Sequence, residues 1–427
     1  MRVFAALILF LAASASALDW QEAQLDAGGR FAVAGSGQGG WATCALAFPA
    51  GVATSADDPY LAQLSARLLG EISVEGRSLR ELLGEIGWVL DQRVGQDLSM
   101  LLLSGPSEDL FRLPAIIQGM FQYRAEFNEA DLARAIHALE IDQQRWRRSA
   151  ELDLRSQMAS LLYGDHPYGK GSGKLAQGTA DASKLASFLN ERYSPAVVQI
   201  VVAGDLEANA EMNRWLPLLK GLSGPRPRFS IWPEPQWGKG RVVSEKNAPM
   251  ELLLAQMPGL PPSHEKAPLL ALSGGLIQLL CESDIRDARL AMVVSAWYRF
   301  NAVGPSHLEI AIRGLAPGAR DRVEAVLRRI IDRVRLGEYS EFAVISAKDR
   351  IVERMVEHSS QGQGPDSSKL SSLLAWTEET ARQEMLLRDL RADFSRRTME
   401  SRPAHIAEFA TEWLKDETIL IGILPAD

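Results

Sequence analysis

Metal-dependent hydrolysis, nucleophilic catalysis and phosphate transfer each demand particular residue types at particular spacings. The chain holds six histidines, at positions 137, 166, 264, 307, 358 and 405. Two imidazoles can share a metal ion from one helix only when they stand about three or four residues apart, and no pair here does. His137 with Glu140, and His405 with Glu408, lie one helical turn apart, which on a charged helix gives a solvated contact. His166, between Asp165 and Pro167, belongs to a structured turn. There is no G-x-S-x-G elbow and no Cys/His arrangement suited to a nucleophile. The serine-rich stretch Ser359 to Ser372, with Gly362, Gly364 and Pro365, lacks the Lys and Ser/Thr of a phosphate-cradling loop and reads as a mobile surface loop. The only thiols, Cys44 and Cys281, sit in distant halves of the chain, so two buried free cysteines are expected rather than a bridge.

The elements that would position any site fall into two matching sets. Gly29 to Ala34 and Trp41 to Phe48 read as strands joined by a Gly/Ser turn, Pro49-Ala50-Gly51 closes the second, and a helix begins near Asp57, Asp58 and Pro59. Arg241 to Ser244 and Met250 to Met257 repeat the strand pair, Pro258-Gly259 closes it, and a helix follows through Ala267 to Leu272. Each half also ends on an apolar strand, Val197 to Val202 and Thr418 to Ile423. The chain therefore reads as a tandem duplication. Within the first half, Leu79 to Gly87 is a short helix, Trp88 to Val94 and Leu98 to Ser104 form a hairpin, and Leu110 to Tyr123 and Asp131 to Tyr163 are helical. The class is α+β: two tandem homologous domains, each a mainly antiparallel sheet with helices packed on one face. Residues 18–221 form the first domain, 222–240 a linker rich in proline, and 241–427 the second.

This order of segments resembles the M16 metallopeptidase family of insulinase and the mitochondrial processing peptidases, in its short bacterial two-domain form. The resemblance rests on Phe48-Pro49-Ala50-Gly51-Val52, on Leu161 through Gly169 (Leu-Leu-Tyr-Gly-Asp-His-Pro-Tyr-Gly), and on Tyr193-Ser194-Pro195 running into Val201-Val202-Ala203-Gly204-Asp205. In the second half it rests on Ala255-Gln256-Met257-Pro258-Gly259, Gly274-Gly275 and Ile285 through Ala291. It implies an M16/LuxS-like metallohydrolase fold. Such enzymes bind zinc through an inverted HxxEH helix, with two His as ligands, a Glu to activate the metal-bound water, and a carboxylate from the next long helix. Aligned on the flanking Leu-Ala and Leu-Leu, those three positions fall on Gln63, Ala66 and Arg67. Gln is a poor zinc ligand, Ala cannot take a proton, and Arg repels a dication. No catalytic residue and no metal are expected in this chain. The downstream carboxylate falls within Glu140 to Gln144, and Glu140 or Asp142 is expected to pair with Arg67. The resemblance also implies a substrate clasp: Arg286 matches its Arg, while its Tyr falls near Met292. Gly274-Gly275 matches a glycine stretch of the processing peptidases' non-catalytic subunit. The alternatives are a plain helix start for the glycines and a surface ion pair for Arg286.

The chain opens with Arg2, an apolar run too short to span a bilayer, and Ala15-Ser16-Ala17, which reads as a secretory signal peptide over residues 1–17. With the bacterial-type resemblance this implies a periplasmic protein. A net charge of −8 from 46 basic and 54 acidic residues, well mixed, excludes a nucleic-acid surface and a dedicated anionic-membrane patch. No integral membrane association is expected. The function implied is that of a non-catalytic, exported subunit that pairs with an HxxEH-bearing zinc protease chain and encloses peptide or unfolded substrate. The zinc is expected in the partner, and no cofactor here. A stand-alone peptide-binding or scaffold protein of the envelope is the alternative, and a zinc endopeptidase with unconventional ligands a further one.

Overall fold

The computed structural model describes residues 19–35, 39–55, 58–170, 181–227, 234–301, 306–356 and 369–426. The expected signal peptide, most of the serine-rich loop and part of the proline-rich linker lie outside these residues. The strands of the first half are β1 (Asp19–Gln24), β2 (Arg30–Gly35), β3 (Trp41–Phe48), the short ribbon β4 (Ser73–Val74) and β5 (Arg77–Ser78), then β6 (Val89–Val94), β7 (Ser99–Pro106) and β8 (Gln199–Gly204). Six of them form one sheet in the order β1-β2-β8-β3-β7-β6, antiparallel except between β2 and β8. The second half contributes β9 (Gly240–Val243), β10 (Leu252–Pro258), β11 (Ala291–Arg299), β12 (His307–Leu315) and β13 (Leu420–Leu424). Their order is β11-β12-β10-β13-β9, antiparallel except between β13 and β9. Strand for strand this is the first sheet without β1. The tandem plan expected from the paired Pro turns is thus a repeat of topology as well as of sequence order.

Each sheet buries one face under helices of its own half. Phe31, Val33, Cys44, Leu46, Phe48, Ile200 and Val202 alternate along β2, β3 and β8 and pack against the helices Pro59–Glu71, Leu113–Tyr123 and Ala208–Leu219. Pro at the first positions of Pro59–Glu71 and a Ser78/Glu81 capping box on Leu79–Glu85 set the helix starts. In the second half the helix Ala267–Cys281 lies in the same place, beneath β10 and β12. The segment Ala267–Arg286 is long and apolar enough to pass as a membrane span, yet it is the central core helix of this half.

The other face of each sheet is covered from across the molecule. Asp131 to Tyr163, read from sequence as one helix, is two: Glu129–Arg148 and Ala150–Tyr163, separated by Ser149, whose hydroxyl accepts from the Leu152 amide as an N-cap. The break redirects Ala150–Tyr163 onto the second sheet, where Leu154, Met158 and Leu162 meet Leu252, Leu254, Leu420 and Leu424. Gly422 is where Met158 crosses: a Cβ there would stand 2.1 Å from the Met158 sulfur. Reciprocally, the long helix Leu370–Glu400 of the second half lays Leu373, Trp376 and Ala381 on the small side chains Ala32, Ala34, Ala45, Ala47 and Ala203 of the first sheet. Each half thus lends the other a helix, with fully buried Leu anchors worth about 1.5–3 kcal/mol apiece.

Candidate functional site

Positions 63, 66 and 67 stand one helical turn apart on Pro59–Glu71, so their side chains share a face. That face turns toward the helix Glu129–Arg148 and the edge strand β6. Gln63 and Ala66 are buried, and Arg67 keeps only 20% of its side-chain surface. Its guanidinium forms a close ion pair with Asp142 and donates to Gln92 Oε1 at 3.1 Å. Gln92 in turn donates from Nε2 to the Ala66 carbonyl at 2.5 Å, tying β6 to the helix at the residue where a general base would stand. One turn further, Glu71 receives Arg80 at 3.0 Å and Arg134 at 3.3 Å. The Gln63 side-chain oxygen is buried with no hydrogen-bond partner.

Burial draws the Arg67 pKa below the ordinary guanidinium value, and Asp142 and Asp91 oppose that shift. A guanidinium with a carboxylate partner nevertheless stays charged throughout the physiological range. The pocket between the two helices is therefore filled by a permanent cation on a tether. A zinc ion would need two or three nitrogen or carboxylate donors here. It would find an amide oxygen, a methyl group and a positive charge, with Asp142 already committed. These residues do not fit the metal. Among the described residues, no group of three or more His, Cys, Asp or Glu stands where it could hold one.

Of the two carboxylates open to Arg67, Asp142 takes it. Glu140 points away, with 62% of its side chain exposed and His137 Nδ1 3.9 Å distant. The stripe Ala135, Leu139, Asp142 identifies the inward face, since the first two are buried core residues three to four positions apart. Gln92 carried no such signal.

The second-half candidates lie apart from this cluster. Gly274 and Gly275 are in the middle of Ala267–Cys281, not at its start. A Cβ on Gly274 would meet Leu308 Cδ1 at 2.6 Å, and one on Gly275 would meet the Ala347 methyl at 3.2 Å, so both serve close packing. Gly275 also lines a cleft of about 530 Å³ beside β11, to which Gln63, Ala66, Arg67 and Arg286 do not contribute. Arg286 is exposed in a widened turn of π type, Glu282–Arg286, that ends the helix. Met292, at the position of the expected tyrosine, is 68% exposed and covers Gly314. Cys44 and Cys281 are buried free thiols whose pKa values burial pushes up.

A second polar cluster, absent from the sequence reading, joins the halves. Glu309 on β12, only 2% exposed, receives Arg155 of the crossing helix at 2.5 Å, Arg299 at 2.9 Å and Gln256 at 3.1 Å. Glu151, one turn from Arg155, takes both nitrogens of Arg313 at 2.7 and 2.6 Å. Tyr163 OH meets His307 Nδ1 at 2.9 Å. Burial raises the Glu309 pKa, but the His307 contact and the two arginines outweigh it and hold the carboxyl well below the usual range. The signal that could have found it is a lone acid, Glu309, inside the otherwise apolar run from Leu308 to Ile312.

No protein-family model matches the chain. No curated protein matches it in sequence. Solved structures do match in fold. A peptidase M16 inactive domain from Pseudomonas fluorescens superposes with a TM-score of 0.69 at 14% identity, over 96% of this chain and 98% of that one. A protease from Helicobacter pylori gives 0.69 at 14% identity, over 95% of this chain and 99% of its own. A chain of complex III2 from Candida albicans, with Inz-5 bound, gives 0.69 at 12% identity over 95% of each. The chain therefore has the M16-like fold that the resemblance implies, along its whole described length.

Proposed function

We propose that this chain is a non-catalytic, exported subunit that pairs with a separate M16-like chain bearing an intact HxxEH zinc site, and that the two together enclose peptides. The observation that carries the reading is the Arg67–Asp142 pair: the residues at the metal-binding positions supply a cation of their own and neither a zinc ligand set nor a general base. A two-domain unit of this fold presents one wall, and enclosure takes two. Its structural neighbours, which are an inactive M16 domain, a protease and a chain of a larger complex, support the reading. In this division of labour the partner holds zinc and breaks the bond, while this chain binds and orients the peptide. Residues 1–17, which read as a secretory signal, support export of this chain.

Co-expression of this chain with an HxxEH-bearing M16-like chain from the same organism tests the proposal. Zinc bound in a one-to-one ratio with the partner, none bound by this chain, and peptide cleavage that requires both chains is the expected result. Cleavage together with stoichiometric zinc in this chain alone would overturn it. Peptide binding by this chain without any HxxEH partner would instead favour a stand-alone peptide-binding or scaffold protein of the envelope.

A further inference from the structure

The helix Glu341–Val356 turns Val344, Ala347 and Ile351 inward, at intervals of three and four residues, onto the core helix Ala267–Cys281. The face opposite such a stripe is ordinarily polar. Here Phe342 and Ile345 stand on it one turn apart, 76% and 54% exposed. Two hydrogen bonds gather further apolar groups at the same corner. Lys348, one turn past Ile345, donates from Nζ to the Met399 carbonyl at 2.7 Å, and Tyr339, in the turn 336–340 that leads into the helix, donates from its hydroxyl to the Pro403 carbonyl at 2.9 Å. Exposed Met399 closes the helix Leu370–Glu400, and exposed Leu336 follows the helix Arg320–Arg335. Four large apolar side chains thus collect where the ends of three helices meet. Single exposed apolar residues need no explanation, but a cluster marks a contact surface.

The charges around the cluster say what covers it. Glu338 and Glu341 precede or open the helix, while Asp349 and Glu353 continue the stripe of Phe342 and Ile345 at intervals of four residues. All four are exposed, and none is in an ion pair among the described residues. Against them stand Lys348, already donating to Met399, and the exposed Arg402; Arg396 is held by Asp393 and Glu400. Acid is in excess. An anionic membrane would be repelled by that border. A second copy related by a two-fold axis would bring the same acids face to face. What matches is a different chain, apolar at the centre of its contact and bordered by lysine or arginine.

We infer that the corner formed by Phe342, Ile345, Met399 and Leu336 is the docking surface for the zinc-bearing partner subunit, which meets it with an apolar patch rimmed by basic residues. The inference rests on the reading that this chain pairs with an HxxEH chain, and assigns that pairing to the outer helices of the second half.

Calorimetric titration and stopped-flow mixing of the full mature chain with the HxxEH-bearing M16-like chain of the same organism test the surface. Phe342→Ser with Ile345→Ser should weaken pairing about thirtyfold or more, as truncation at the centre of an interface does. Glu341→Lys with Asp349→Lys should slow association about tenfold in about 0.05 M salt, and the difference should vanish in about 0.5 M salt. These residues are exposed, so the melting temperature of each variant should match that of the native chain. Phe111→Ser, which removes an exposed apolar side chain of the first half, should pair as the native chain does. Native affinity in the Phe342→Ser, Ile345→Ser variant, or an equal loss in Phe111→Ser, overturns the surface while the pairing itself stands. Self-association of this chain alone, or its binding to phosphatidylglycerol vesicles, overturns the assigned partner if the Phe342→Ser, Ile345→Ser variant abolishes it. Failure of the native chain to pair at all overturns the surface and the subunit reading together.

Discussion

The two halves place the same helix pair in the same position and join it by opposite means. In the first, Pro59–Glu71 packs along Glu129–Arg148, and the ninth residue of the leading helix, Arg67, reaches Asp142 across the contact. In the second, Ala267–Cys281 packs along Glu341–Val356, and the ninth residue is Gly275, close against Ala347 with no side chain between. One contact is an ion pair with a bridging Gln92; the other is bare backbone against a methyl. Duplicated topology therefore does not require duplicated chemistry. The same frame between these helices is satisfied equally by a tethered cation and by close packing. The difference marks the first half's helix pair as the one that must still balance charge across its contact.

The contact that breaks the comparison most severely belongs to neither helix pair but to the cluster that binds the halves together. Glu309→Gln leaves Arg155 and Arg299 facing an uncharged amide in a buried site, and unfolding in urea is expected to shift by about 3 kcal/mol or more. Its pH dependence has a definite sign. A carboxyl held below its ordinary value contributes stability that is fully present above the unfolded pKa of about 4.3 and is lost as pH falls through the folded value. The native protein should accordingly lose stability more steeply than Glu309→Gln below about pH 4. Parallel acid titrations of the two by tryptophan fluorescence decide the point.

Arg67→Leu addresses the helix pair directly. It leaves Asp142, which is 23% exposed, with only the exposed Arg145 at 3.8 Å, and should destabilise the first half by about 2–3 kcal/mol. Removing the acid as well, in Arg67→Leu with Asp142→Leu, should recover most of the loss, because an apolar pair of similar volume suits a half-buried site that the second half already fills without charge. A double variant no better than the single one would mean that Gln92, not Asp142, is the partner that matters.

How much of this was readable from residues alone differs by region. The strand-turn-helix openings of both halves were legible because β-branched and apolar runs are bounded by Pro and Gly, which act locally. β1 was not: Asp19–Gln24 is a half-exposed edge with no unbroken apolar run. The break at Ser149 has neither Gly nor Pro to announce it, only a cap that becomes visible once the two helices diverge. Which sheet a helix covers is a matter of long-range packing, so the exchange of Ala150–Tyr163 and Leu370–Glu400 left no local trace. At positions 63, 66 and 67, residue type alone carried the expectation that no zinc binds. Choosing Asp142 over Glu140 needed the helix face.

Smaller effects sharpen the contrast from the second half. Gly274→Ala would place a methyl 2.6 Å from Leu308 Cδ1, and since that is the mobile end of a side chain the site can yield, at about 1–2 kcal/mol by thermal unfolding. The same substitution type in the first half has no counterpart, because Ala66 already fills its place.

The smallest change in stability is expected at Arg286. It is exposed at the end of the core helix, while its neighbours Glu282 and Asp284 are engaged by Arg350 and by Arg329 and Arg333. Arg286→Ala should therefore move thermal unfolding by no more than about 0.5 kcal/mol. That neutrality is what makes it informative. An exposed arginine with no structural task either serves a ligand or serves nothing, and the two differ only in binding. If the second half grips peptide at the end of its core helix, Arg286→Ala should lower peptide affinity with no change in melting temperature, and an unchanged affinity would place Arg286 outside any such grip.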